Sequence, residues 1–146
     1  MKRVLVGTED FDPGVELETL AVLGSGGIAS FVGQVRGEGG LRSMTLEHYP
    51  AMTGPALDML AEEAMLRWAL DGVTLIHRVG RLEPGDRIVL VATAARHRAS
   101  ALEACAYLID RLKTDAPFWK KEEFADGRAE WVEARAADDL ASKKWD

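Results

Sequence analysis

The chain has 146 residues, 47% of them hydrophobic, and a formal net charge of −6 from 18 basic and 24 acidic side chains. That length suits one domain, 1–146, with a core of its own, and the acidic balance speaks against a nucleic-acid partner. The lone Cys105 excludes an internal disulfide framework and any Cys-x-x-Cys metal site. The apolar run at the N-terminus is too short for a signal peptide and no run reaches a membrane span, so a soluble, cytoplasmic protein without a membrane partner is expected.

Lys2 to Val6 reads as a first strand. Asp12-Pro13 supplies an N-cap and a proline at the first helical position. Val15, Leu20 and Leu23 give the following helix a modest apolar face, ended by Gly24-Ser25-Gly26-Gly27. This glycine cluster lacks the Lys-Ser/Thr of a phosphate-binding loop and reads as a turn. Residues 28–36 form a strand ending in Arg36, before the glycine-rich run 37–40. An arginine there reaches either solvent or an anion. Residues 43–49 read as another strand, and Thr53-Gly54-Pro55 opens a second helix with Leu57, Leu60, Ala61, Ala64 and Trp68 on its apolar stripe.

Residues 73–79 and 86–93 are strands joined across Glu83-Pro84-Gly85-Asp86, where Pro-Gly favours a type II turn and an antiparallel hairpin. Ile88 to Ala92 is apolar at every position, which predicts a strand covered on both faces. A helix follows from Arg96, with Leu102, Cys105, Ile109 and Leu112 at helical spacing, and Pro117 stops it. Strands 118–124 and 129–135 then pair across Asp126-Gly127, with Trp131, Glu133 and Arg135 on one face. Residues 138–146 are a short helix or a tail that orders against a partner. Strands interleaved with three helices indicate an α/β or α+β domain.

The third helix carries the chemistry. Residues 96–121 hold six Lys or Arg against three Asp or Glu, a basic segment in an acidic chain and so a local anion site. Arg96, His97 and Arg98 stand at the helix N-terminus, where cations are unfavourable unless an anion is bound. Lys113 stands at its C-terminus. Arg98 and Lys113 are about 22 Å apart along the helix, too far for one small ligand. Either the two ends serve different purposes, or a two-fold dimer brings opposite ends together. Lys113 suits the helix dipole and Lys120 adjoins an aromatic, so each has a purely structural explanation. Were they to meet, each would favour the neutral form of the other and fit acid/base work. His48 and His77 fall within strands and read as structural. No histidine has metal-ligand spacing, so no metal is expected, and Cys105 reads as a small core residue.

Five segments taken together, TLEHYPAMT (45–53), LIHRVGRLEPGD (75–86), HRASALEACAYLIDRLK (97–113), APFWKKE (116–122) and WVEAR (131–135), resemble the catalytic large subunit of molybdopterin synthase, the MoaE family. The likeness runs from about Gly33 to Trp145. It implies an α/β hammerhead fold with an additional antiparallel β subdomain. It also implies a homodimer within a heterotetramer, with a small ubiquitin-like subunit at each end whose C-terminal Gly-Gly thiocarboxylate enters a pocket holding cyclic pyranopterin monophosphate. Two sulfurs are then transferred to form the dithiolene of molybdopterin, with no cofactor. The family's catalytic lysines fall on Lys113 and Lys120. Its anion-binding positions fall on Arg36, His97, Arg98 and Arg135, with Gln34, Val35, Lys121 and Glu122 as bordering substrate contacts. Two other readings stand beside the sulfurtransferase: a scaffold that binds the ubiquitin-like partner without turnover, and a small-anion-binding regulatory module.

Overall fold

The computed structural model describes residues 1–132 and 136–146. In chain order it comprises β1 (Lys2–Gly7), α1 (Pro13–Ala21), β2 (Gly27–Gln34), β3 (Leu41–His48), α2 (Pro50–Trp68), β4 (Gly72–Arg78), β5 (Gly80–Leu82), β6 (Arg87–Ala95), α3 (Arg98–Asp115), β7 (Phe118–Phe124), β8 (Ala129–Val132) and α4 (Ala136–Lys143). The strands form two four-stranded sheets, β1-β4-β6-β2 and β5-β3-β7-β8. In the first, β1 runs parallel to β4 and the other pairs are antiparallel. The second is antiparallel throughout. The mixed αβ class with an antiparallel second sheet is therefore as expected. Among the described residues no helix is long and apolar enough to cross a membrane.

Local chemistry accounts for most boundaries. The Asp12 carboxylate accepts from the Gly14 and Val15 amides, satisfying donors that the first turn of α1 leaves open. The Pro-Gly turn closes with the Asp86 amide donating to the Glu83 carbonyl at 2.9 Å, and Gly85 takes the positive φ of 92° that type II geometry requires. The apolar run of β6 is covered on both sides. Val89 and Val91 meet α2 and α3, whereas Ala92 and Ala94 pack with Leu20 of α1.

Several boundaries differ from expectation. α2 begins at Pro50, not at 53–55, because Pro50 occupies the first helical position behind Tyr49. Pro55 is then carried inside the helix. The strands at 73–79 and 86–93 do pair, but the segment between them is more than a turn. Gly80, with φ 89°, turns the chain into β5, which pairs with β3 in the second sheet. Leu102 is 61% exposed, and the buried residues of α3 are Ala101, Ala104, Cys105, Tyr107, Leu108 and Leu112. Leu102 lies about 100° around the helix from Ala101, outside the stripe that meets the sheet. Val15 and Leu23 are likewise exposed, and Leu20 alone of the three expected residues is buried. The final residues include a fourth helix. Beyond it the Trp145 ring stands edge-on to Trp68 and Tyr107, and its Nε1 donates to Asp110 Oδ2 at 2.7 Å. The expected face of Trp131, Glu133 and Arg135 is described only at Trp131, since residues 133–135 lie outside the described residues.

Candidate active site

The site lies between the two sheets, where α3 ends and the chain reverses into β7. Lys113 occupies the last turn of α3, one residue after the buried Leu112. Ala116 leaves the helix in extended conformation, as a residue before proline does, and β7 starts at Phe118. On β7, Lys120 and Glu122 register with Leu46 and Met44 of β3. The face carrying Lys120 therefore turns back toward Lys113.

The crevice has two joined lobes, of about 190 and 370 Å³, that share Met44, Ile88, Lys113, Lys120 and Asp138. The smaller lobe adds His77 and Phe118, and the larger adds Gln34, Val35, Arg36 and Glu122. This is the size of a small-molecule site. A broader groove of about 670 Å³ beside β1 is lined by no Lys or Arg, so it does not compete as an anion site.

The sequence candidates divide into three groups. Lys113, Lys120, Gln34, Val35, Arg36 and Glu122 come together on one crevice. Lys121 alternates to the opposite face of β7, opposite Thr45 and Trp131, with its ammonium 5.9 Å from the Trp131 ring centre. His97 and Arg98 begin α3 at the end away from Lys113 and line neither lobe. Arg135 lies outside the described residues. Arg36 follows the end of β2 instead of ending it, and its guanidinium sits 3.4 Å from Glu38. The Lys120 ammonium is 4.0 Å from Glu122.

Among the described residues, Arg36, Lys113 and Lys120 therefore face Glu38, Glu122 and Asp138. The described residues of one chain thus offer an anion little net attraction at this crevice. Among the described residues no group of three His, Cys, Asp or Glu is placed to hold a metal. Cys105 is buried in the core and burial pushes its thiol up to about 11, which suits a core residue and not a nucleophile.

Sequence reasoning missed His77. It follows Val73 and Leu75 at period two on β4, and both of those face α2 and α3 in the main core. That alternation was the available signal for a ring aimed at the helix layer. His77 stacks on Phe118 at 3.9 Å and 16°, and its Nδ1 lies 2.8 Å from the Arg78 carbonyl. Its pKa is lowered from 6.5 to about 4 by all its surroundings together, burial being the largest cause. The Arg78 hydrogen bond acts in the opposite direction, and the nearby Lys113 and His48 add smaller lowering contributions to that net value.

This has a consequence for stability. The unfolded chain takes up a proton near pH 6.5 that the native ring refuses until about pH 4. The contribution is complete above the unfolded value and is lost as pH falls through that window. Urea titrations between pH 7 and 4.5 are expected to lose on the order of 2 kcal/mol through this group. His77→Phe should flatten that part of the slope.

A mixed two-sheet fold with lysines at a helix end and on a facing strand, both bordering one crevice of small-molecule size, defines the class of protein. The family is plain from comparison. The model described as MoaE protein matches residues 6–115, and the chain belongs to the MoaE family. The molybdopterin synthase catalytic subunit of Cereibacter sphaeroides is 50% identical, over 98% of this chain and 99% of that protein. The solved MoaE protein of Burkholderia ambifaria MC40-6 superposes with a TM-score of 0.85 at 47% identity, covering 99% of this chain and 98% of that one. A solved complex of subunits 1 and 2 of the molybdopterin-converting factor of Helicobacter pylori 26695 shares the fold, with a TM-score of 0.73 at 19% identity over 92% of this chain and 91% of that one.

Proposed function

We propose that this chain is the catalytic subunit of a cytoplasmic molybdopterin synthase, a single-domain sulfurtransferase that works on cyclic pyranopterin monophosphate. The carrying observation is that Lys113 and Lys120, which are distant in local structure, border the same crevice. The thiocarboxylate sulfur of a small ubiquitin-like partner attacks an oxygen-bearing carbon of the pterin, forming a C–S bond and a thioester as the C–O bond at that carbon breaks and its oxygen leaves as water or on the phosphate. Water then cleaves the acyl–sulfur bond, leaving sulfur on the pterin and a carboxylate on the partner's tail. A second carrier repeats the step to complete the dithiolene. Lys113 supplies acid/base or electrostatic help at the transfer. Lys120 assists it or positions the pterin. Arg36 and Arg135 hold phosphate and thiocarboxylate charge, with Gln34, Val35 and Glu122 as further contacts, whereas Lys121 on the opposite face of β7 takes no part. No cofactor enters the scheme.

The near balance of charge among the described residues of the crevice supports a homodimer in which a second copy adds His97 and Arg98 to each crevice, within a heterotetramer with the carrier. The length of α3 supports the same arrangement. Complementation tests it. Lys113→Ala and Arg98→Ala chains, each impaired alone, are co-expressed. A mixed dimer then holds one crevice with both defects and one with neither, so activity should recover toward half per mixed dimer. Complete absence of recovery in verified mixed dimers removes the shared site.

The function itself is tested by mixing the protein with thiocarboxylated carrier and cyclic pyranopterin monophosphate and assaying dithiolene product. Carrier binding without product indicates a scaffold. Ligand binding without any response to carrier indicates a regulatory module.

A further inference from the structure

The reaction as proposed gives His77 no task. His77 borders the smaller lobe together with Lys113 and Lys120. Behind it, a cavity of about 20 Å³ is again lined by both His77 and Lys113, with Phe31, Val89, Val91, Ile109 and Leu112. Both residues thus border the same two cavities, and Lys113 lies near enough to act on the charge of the ring. The rear cavity has room for one water.

The ring's orientation and tautomer follow from its partners. Phe118 stacks on one face. The Nδ1 position lies 2.8 Å from the Arg78 carbonyl, which can only accept, so Nδ1 carries the proton and Nε2 carries the lone pair. An imidazole held this way is an acceptor, and the charged donor beside it is Lys113. The titratable groups around it are Lys113 on α3, Lys120 on β7, His48 on β3 and Asp138 on α4, with Arg3 on β1, Glu9, Asp10 and Asp12 in the following loop and Glu16 on α1 in the groove it borders on the other side. His48 is itself turned elsewhere. Its Nδ1 is 3.2 Å from the Thr53 hydroxyl, which donates its own proton to the Tyr49 carbonyl.

We propose that His77 is a positioning residue for Lys113: its Nε2 accepts a hydrogen bond from the Lys113 ammonium, directly or through one water, and fixes where that ammonium stands. Burial and the neighbouring cation keep the imidazole neutral at physiological pH, so the acceptor is always available. The catalytic consequence rests on the sulfur-transfer reading, whereas the contact does not.

Two measurements separate them. In 15N-labelled protein, a lysine ammonium is observed when hydrogen bonding protects its protons from exchange, and Lys113→Arg identifies which resonance belongs to Lys113. His77→Phe keeps the aromatic stack without a nitrogen and is expected to abolish that resonance. His77→Gln, which restores an acceptor near the Nε2 position, is expected to retain it. In the sulfur-transfer assay, His77→Phe is expected to lower kcat by about tenfold to a hundredfold through misplacement of the amine. KM for the pterin should change little, and His77→Gln should recover most of the rate. Should His77→Phe fail to fold, His77→Leu carries the same comparison. Persistence of the Lys113 resonance in the nitrogen-free variant overturns the contact, whatever the kinetics. If wild-type protein forms no dithiolene while the resonances behave as stated, the sulfur-transfer reading fails and the contact stands.

Discussion

Lys113→Ala is expected to slow dithiolene formation by about a thousandfold, within the range that a positioned acid/base group contributes. Unfolding by urea should barely change. Lys113 stands at the end of α3 beside an open crevice, and the packing of that turn rests on Leu112. Lys120→Ala should cost less, about a hundredfold if it positions charge without moving a proton. Lys113→Arg divides the two contributions of Lys113, because a guanidinium keeps the charge but does not give up a proton near neutrality. A variant with near-wild-type rate assigns Lys113 an electrostatic role, and one as slow as alanine assigns it proton transfer. Single-turnover rates with pre-formed thiocarboxylate check this. Near-normal transfer in Lys113→Ala with loss in Lys120→Ala would exchange the two assignments.

The largest effect on stability is expected at Leu108. It is fully buried on α3, in one cluster with Leu57, Leu60, Ala61 and Ala64 of α2 and with Val73, Leu75, Val89 and Val91 of the first sheet. Shortening it to alanine removes contacts to two layers at once. Leu108→Ala should cost about 3 kcal/mol, as transfer and cavity contributions add. That corresponds to roughly a 10 °C drop in Tm for a chain of this size. Urea unfolding at fixed protein concentration should show a lower midpoint with an unchanged slope. A loss below 1 kcal/mol would mean that α2 and α3 close over the gap. Because Lys113 follows on the same helix, the variant's rate also reports how rigidly the crevice depends on that layer.

What the sequence made legible is what local chemistry governs. Asp12-Pro13, the Pro84-Gly85 turn and the uninterrupted apolar run of β6 act through a few adjacent residues, and they end up where such residues must. β5 was not legible, because a three-residue strand carries almost no pattern of its own and is defined by its pairing with β3. Leu102 misled for a related reason. Spacing identifies a helix but not how much of its surface a neighbouring sheet covers, and here the covered stripe centres on Ala101, Cys105 and Leu108. In the site, Lys113 and Lys120 could be marked individually. Their meeting depends on the reversal at Ala116 and Pro117 and on the register of β7 with β3. His77 escaped because an isolated histidine in a strand usually has a structural role, and only its alternation with Val73 and Leu75 gave direction to the ring.

The burial of Cys105 bears on chemical fidelity. An activated acyl sulfur is prone to exchange with any thiolate it meets, which would strand the cargo on the wrong atom. The chain has one thiol, enclosed in the core and held protonated to about pH 11. In the proposed reaction, a sulfur donor entering the crevice would meet amines, carboxylates and the unreactive Met44 thioether but no thiol of the host. The same privacy makes the protein a clean background for site-directed thiol labelling, since a cysteine introduced on its surface would react alone.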